Sequence, residues 1–107
     1  MESTGFSVES LDTQALDSLP VALCVTGPDG GLIRINRRAV DLWGRQPTAA
    51  DVARGPAAQV MRTGRAVADV ALAIEHDDGR TINARVSATP LTDAGGNTVA
   101  VVSTFIQ

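Results

Sequence analysis

From Arg65 onward the hydrophobic pattern settles into a period of two, and this constrains the fold more than any other feature of the chain. Val70, Leu72 and Ile74 alternate with Asp69, Ala71, Ala73 and Glu75. Successive side chains of a strand point to opposite faces, so this pattern is a strand with one buried side. The next segment, "HDDGR", offers Asp78-Gly79 for the positive φ that a tight hairpin needs. Beyond it Ile82, Ala84, Val86 and Ala88 alternate with Thr81, Asn83, Arg85 and Ser87. "TDAGGN" is a second hairpin loop, and "TVAVVSTFI" is apolar at both parities, as in a strand covered on both faces. Strands joined by turns this tight can only form an antiparallel meander.

The first half of the chain is punctuated more often. "VALCVT" is again apolar at both parities, "GPDGG" is a turn built on Asp29-Gly30, and "LIRI" is the return strand. In "NRRAVDLWG" Asn36 is placed to cap a short helix, Val40 and Trp43 share one face, and Gly44 is the expected left-handed stop. Thr48 and Asp51 are spaced as a capping box, and Pro56 suits the first turn of a helix running through "AAQVMR" to Gly64. Ahead of all this, "FSVESLDTQALDSLP" carries Val8, Leu11, Ala15 and Leu16 at helical spacing. Ser7 would cap that helix, Phe6 would staple it to Leu11, and Pro20 ends it. The order is helix, two strands, short helices, three strands: an α+β chain, divided into an N-terminal amphipathic cap over 1–20 and one domain over 21–107.

Composition narrows the chemistry. The aromatic residues are Phe6, Trp43 and Phe105, so the core is aliphatic. A single cysteine allows no intrachain disulfide and suits a reducing cytoplasm. No apolar run approaches the roughly 18 residues of a membrane span, and the acidic, polar "MESTGFSVES" is unlike a signal peptide. The expected location is the cytoplasm, with no membrane partner. A net charge of −3 argues against a nucleic-acid partner. The basic residues are all Arg, and seven of the nine fall between Arg34 and Arg65. A GC-rich codon bias accounts for the missing Lys. The cluster itself is first a solvated basic face and second a grip for an acidic partner or an anionic ligand.

Taken together, "LPVALCVTGPDGGLIRINRRAVDLWG", "RTGRAV" and "DDGRTINARVSATPLTDAGGNTVAVVSTFIQ" resemble a PAS domain, the small sensory α+β module, over roughly residues 21–107. The resemblance implies a five-stranded antiparallel sheet of order 2-1-5-4-3 with short helices on one face. It implies a sensory or regulatory domain of a bacterial signalling protein, most often a histidine kinase input domain, that acts on a downstream output domain or a partner signalling protein. The sequence departs from the family in one respect. Only a short segment separates Gly44 from Gly64, and its residues are small: Ala49, Ala50, Ala53, Ala57 and Ala58. Any pocket is therefore open on one side, or little pocket exists. Its lining, for an unidentified small molecule, would be Leu23, Val25, Val40, Trp43, Met61, Ile82 and Val86.

Each reactive side chain also has a plain reading. Flavin-binding members of the superfamily carry their cysteine in an Asn-Cys-Arg type motif in the helical segment, whereas Cys24 lies in the first strand and reads as a buried thiol. Haem-binding members use a histidine on a helix facing the cavity. His76 stands beside a hairpin and reads as a solvent-facing turn residue. No cofactor and no metal are expected. Asp77 and Asp78, adjacent in the chain, do not converge, and Ser87, Ser103 and Thr104 have no histidine base. The chain is thus expected to be no enzyme; a small α+β pocket enzyme is the weakest alternative, and a pure protein-interaction module without ligand the stronger one. The first and last strands set one further expectation. Ala22, Cys24, Ala100, Val102 and Ile106 are assigned to one sheet face, and Leu23, Val25, Val99, Val101 and Phe105 to the other. The short helices can cover only one face, so a homodimer is expected in which Val8, Leu11, Leu16 and Leu19 help to cover the second.

Overall fold

The computed structural model describes residues 17–107. Most of the expected helix over 1–20, with Val8, Leu11 and Leu16, lies outside them; Leu19 is described and is 37% exposed. The elements follow as β1 (Ala22–Thr26), β2 (Leu32–Ile35), α1 (Arg37–Trp43), α2 (Ala49–Ala53), α3 (Ala57–Thr63), β3 (Val67–Glu75), β4 (Thr81–Thr92) and β5 (Thr98–Ile106). The strands form one antiparallel sheet in the order β2-β1-β5-β4-β3. That is the expected order, and it puts the two strands that are apolar at both parities, β1 and β5, side by side in the interior of the sheet. No helix among the described residues is long and apolar enough to cross a membrane.

The turn residues act where the sequence put them. Gly30 and Gly79 take φ of 85° and 93° in the two Asp-Gly hairpins, a conformation that costs any residue with a Cβ. The Asn36 side chain accepts from Ala39 N as the α1 cap, and α1 and α3 end on left-handed Gly44 and Gly64. Thr48 and Asp51 form a capping box at the start of α2. Asp51 also accepts two hydrogen bonds from the Arg45 guanidinium, at 2.8 and 3.1 Å.

Those bonds, with Thr48 donating from its backbone and its hydroxyl, hold the Asp51 carboxyl down to about 2. A carboxyl depressed in the folded state contributes stability that is present above its unfolded value and is lost as pH falls through the folded one. Arg45 is 39% exposed, so the contribution is discounted for solvent screening to about 1 kcal/mol. Denaturant titrations between pH 5 and pH 2 should show the parent losing that much between about 4 and about 2. Asp51→Asn should be less stable than the parent at pH 5 and should lack that step. Equal pH slopes for the two proteins would remove the assignment.

All three helices contribute to the larger core. Ala39, Leu42 and Trp43 of α1, Val52 of α2, and Ala57 and Val60 of α3 pack on Ala22, Cys24, Ile74, Ala84, Val86, Ala88, Val101 and Phe105 of the sheet. A smaller cluster of Leu23, Val25 and Ala100, flanked by Ile33, Leu91 and Val102, lies on the other face. The face assignment expected for β1 and β5 is corrected here. Ala22 stands opposite Phe105, Cys24 opposite Ser103 and Thr26 opposite Val101. Ala22 and Cys24 therefore share the helix side with Val101 and Phe105, while Leu23 and Val25 share the outer side with Ala100 and Val102. Alternation within each strand was legible. The relative phase was not, because no tight turn joins β1 to β5, and a one-residue slip moves every side chain to the opposite face.

Candidate functional site

The space between the helices and the sheet is filled by side chains. Trp43 and Phe105 meet edge to face, with ring centroids 5.1 Å apart and planes at 79°, a favoured arrangement for aromatic quadrupoles. Both rings are 3% exposed. They join α1 directly to the last strand.

Beside this core lies an open cleft of about 370 Å³ between the β1–β2 turn, Thr26 to Gly30, and the α2–α3 pair. Its helical wall is Ala53, Ala57, Ala58, Met61 and Arg62. The wall recedes because alanines stand where larger side chains would fill the gap. The floor is fixed by backbone bonds across the turn: Gly27 N donates to Gly31 O at 2.9 Å and Gly30 N to Gly27 O at 3.0 Å. Asp29 Oδ1 accepts from Gly31 N at 2.9 Å, which holds that carboxylate at the turn. Arg62, exposed in the last turn of α3, makes no ion pair among the described residues. The cleft is thus apolar at its back and carries one charge of each sign, on Asp29 and Arg62. At its inner end Thr26 is 4% exposed and stands opposite Val101 of β5.

The expected pocket residues are not brought together. Trp43 and Val86 are buried in the larger core, with Met61 and Ile82 packed against it. Leu23 and Val25 belong to the cluster on the far face. Val40 is half-buried on α1, where Ala39, Leu42 and Trp43 are the buried residues. Of the expected seven, Met61 alone lines the cleft. The signal for the cleft itself was the run of alanines after Gly44, which left open whether a one-sided pocket or little pocket exists; three of those alanines line the cleft.

Two reactive side chains are placed as follows. Cys24 is fully buried, and burial, helped by the negative charge of Asp51, pushes its thiol up to about 12. It is held protonated and inert, the reading its strand position gave. His76 is the correction. Its side chain is 16% exposed, and its imidazole lies against Gly44 at the end of α1. The hairpin folds back onto that helix, with Asp77 N donating to Trp43 O at 2.8 Å.

Comparison with solved structures identifies the architecture. The chain matches the LOV protein of Rhodobacter sphaeroides at a TM-score of 0.69 and 14% identity, over 88% of this chain and 63% of that one. It matches a PAS domain from Colwellia psychrerythraea at 0.67 and 15%, over 86% and 89%. It matches the VqmA dimer of Vibrio cholerae at 0.69 and 15%, over 94% and 52%. The chain therefore has the PAS fold, and it spans only about half to two thirds of the first and third of these proteins. No protein-family model and no curated protein matches the sequence.

Proposed function

We propose that this chain is a cytoplasmic sensory input module of a bacterial signalling protein, of the histidine kinase kind, and that it carries out no chemistry of its own. The observation that carries this reading is the position of the cleft. Its inner residue, Thr26, pairs with Val101, so an occupant displaces a neighbour of the last strand. From there the change passes along β5 to Phe105 and, through the edge contact, to Trp43 and α1. The ligand is small, mostly apolar, and carries one group that an arginine can hold, matching the alanine wall and Arg62. The module is read as working without a chromophore, since its cysteine lies in β1 and its histidine at the β3–β4 turn, neither of them on a helix.

Assembly is part of the proposal. A homodimer would pack through the outer face, where half-buried Ile33, Leu91 and Val102 surround the buried cluster of Leu23, Val25 and Ala100. One structural neighbour is described as a dimer, which is consistent with that arrangement. A second reading, a protein-interaction module without ligand, is favoured by a different observation: Trp43 and Phe105 fill the interior, and the cleft is open.

Thermal melting of the purified chain against small carboxylates and phosphates separates the two readings. A ligand at about a hundred times its Kd stabilises by about 2.7 kcal/mol, which is roughly a 10 °C rise in a domain of this size. The ligand reading expects such a rise for at least one compound, and expects Ala58→Trp, which fills the cleft from an exposed position, to abolish it. No shift with any compound, and nothing released on denaturation by mass spectrometry, would hand the function to the interaction module. A visible absorption band in protein from cells supplied with haem precursor and riboflavin would end the chromophore-free reading.

A further inference from the structure

The sheet has two edges, and they are unequal. β2 spans Leu32–Ile35, whereas β3 spans Val67–Glu75 and, among the described residues, pairs with β4 alone. Long edges of this kind are normally protected by lysine, proline or a covering segment. From Val70 to Ile74 the chain reads "VALAI", with no lysine or proline, and among the described residues no segment pairs with its open side. Ala71, Ala73 and Glu75 are exposed.

The direction of the free backbone groups follows from the hairpin. His76 N donates to Arg80 O at 2.8 Å, so the pair His76 and Arg80 is hydrogen-bonded. Antiparallel ladders alternate bonded and non-bonded pairs. Ala71, Ala73 and Glu75, opposite Arg85, Asn83 and Thr81, are then the non-bonded members. Their N–H and C=O groups point away from β4, toward the open side.

From this edge we infer a docking site for a second copy of the chain, joined strand to strand about a two-fold axis at Ala73. In that register Ala73 meets its own copy and Ala71 meets Glu75, and each opposed pair exchanges both backbone bonds. Between them, on the helix side, Leu72 meets Ile74, which extends the apolar core across the axis. On the outer side Ala71 separates the arriving Glu75 from Arg85. Only a methyl group stands between them, so the two long side chains can pair above it. Arg85 is exposed and makes no ion pair among the described residues. The small residue, the acid and the base are thus spaced to complement themselves.

The neighbouring register, about an axis at Leu72, would set Asp69 opposite Glu75, and like charges directly opposed are destabilising. The pairing also has a built-in end. Asp69 has φ of 58° at a shift in register between Val67 and Val70, and a bulge of this kind turns an edge away. This interface uses neither the outer apolar cluster nor the cleft.

Cysteine cross-linking of the full chain tests the register. Bonded pairs in antiparallel strands have Cα atoms about 5.5 Å apart, within disulfide range. Ala73→Cys should form an intermolecular disulfide in a mild glutathione buffer at about 100 µM, a concentration suited to a weak dimer. Ala71→Cys and Asn83→Cys should not, since neither meets its own copy. Cys24, being buried, leaves the parent uncrosslinked. In light scattering, Glu75→Arg should weaken the β3-dependent association by roughly tenfold, and the exchange Glu75→Arg with Arg85→Glu should restore it. Equal cross-linking of all three cysteine variants would mean random collision and would overturn the proposal. So would an Ala73→Cys protein that stays unlinked, which would leave the edge to another protein's strand or to none. Because the cross-link reports on Ala73, a dimer formed through the outer face would neither mimic that result nor be refuted by its failure.

Discussion

Asn36→Ala should destabilise the domain by about 3 kcal/mol, from the loss of buried hydrogen bonds and the stranding of their partners. Asn36 is 1% exposed. Its Oδ1 accepts from Leu23 N at 2.9 Å and from Ala39 N at 3.1 Å, and its Nδ2 donates to Val21 O at 2.7 Å. One side chain thus ties the start of β1 to the first turn of α1. A cap residue on an exposed helix costs about 1 kcal/mol when removed. Here the truncation also strands the buried Leu23 N of β1 and the part-buried Val21 carbonyl just before it, and this sets the larger figure. In a domain near this size the melting temperature should fall by roughly 10–20 °C. Asn36→Asp separates the components. A carboxylate keeps both acceptor bonds but turns a second oxygen toward the Val21 carbonyl, so the variant should be destabilised at neutral pH. It should recover relative to the parent as pH falls and the carboxyl gains a proton to donate. If Asn36→Ala melts within a few degrees of the parent, the side chain is only a helix cap.

The same residue shows how far a sequence carries. Asn36 was legible as a cap because capping is local: an asparagine, a short helical stretch, then Gly44. Its bonds to Val21 and Leu23 were not, since they span thirteen residues or more and depend on β1 and β2 pairing first. The meander of β3 to β5 was legible for the opposite reason, as its register is carried by tight turns. The pocket was read least well. Leu23 and Val25 lie on the face away from the helices, and which face they take is decided by the phase of β1 against β5, set by pairing across most of the chain. The run of alanines marked a thin helical wall but not the cleft's place, because the β1–β2 turn that floors it lies well upstream in the chain. The fold rests on many local signals that agree, whereas the site rests on a few distant ones.

Gly44→Ala should cost about 3 kcal/mol or more, and most of that cost should vanish when His76 is also removed. The glycine ends α1 with φ of 73°, where an alanine would carry about 1 kcal/mol of strain. A Cβ built there would stand 2.6 Å from His76 Nε2 and 2.8 Å from Nδ1, far inside contact distance. The imidazole cannot yield cheaply. Its Nδ1 accepts from Asp78 N at 3.1 Å and lies 3.0 Å from Asp78 Oδ1, while the backbone of the same turn is fixed by His76 N donating to Arg80 O at 2.8 Å. Moving the ring therefore opens the hairpin at the point where Asp77 N closes the last turn of α1 on Trp43 O. The His76→Ala variant should lose its packing and the exposed hydrogen bond from Asp78 N, about 1 kcal/mol. In that background Gly44→Ala should cost the strain alone, which leaves a coupling of about 2 kcal/mol in the double-mutant cycle. Urea denaturation of the four proteins measures it. An additive cycle would mean that the ring moves aside freely and does not clamp the hairpin to α1. A coupled one would show that the domain's only histidine holds its helix layer to the β3–β4 turn, a role set by a contact 32 residues apart in the chain and by nothing in its immediate sequence.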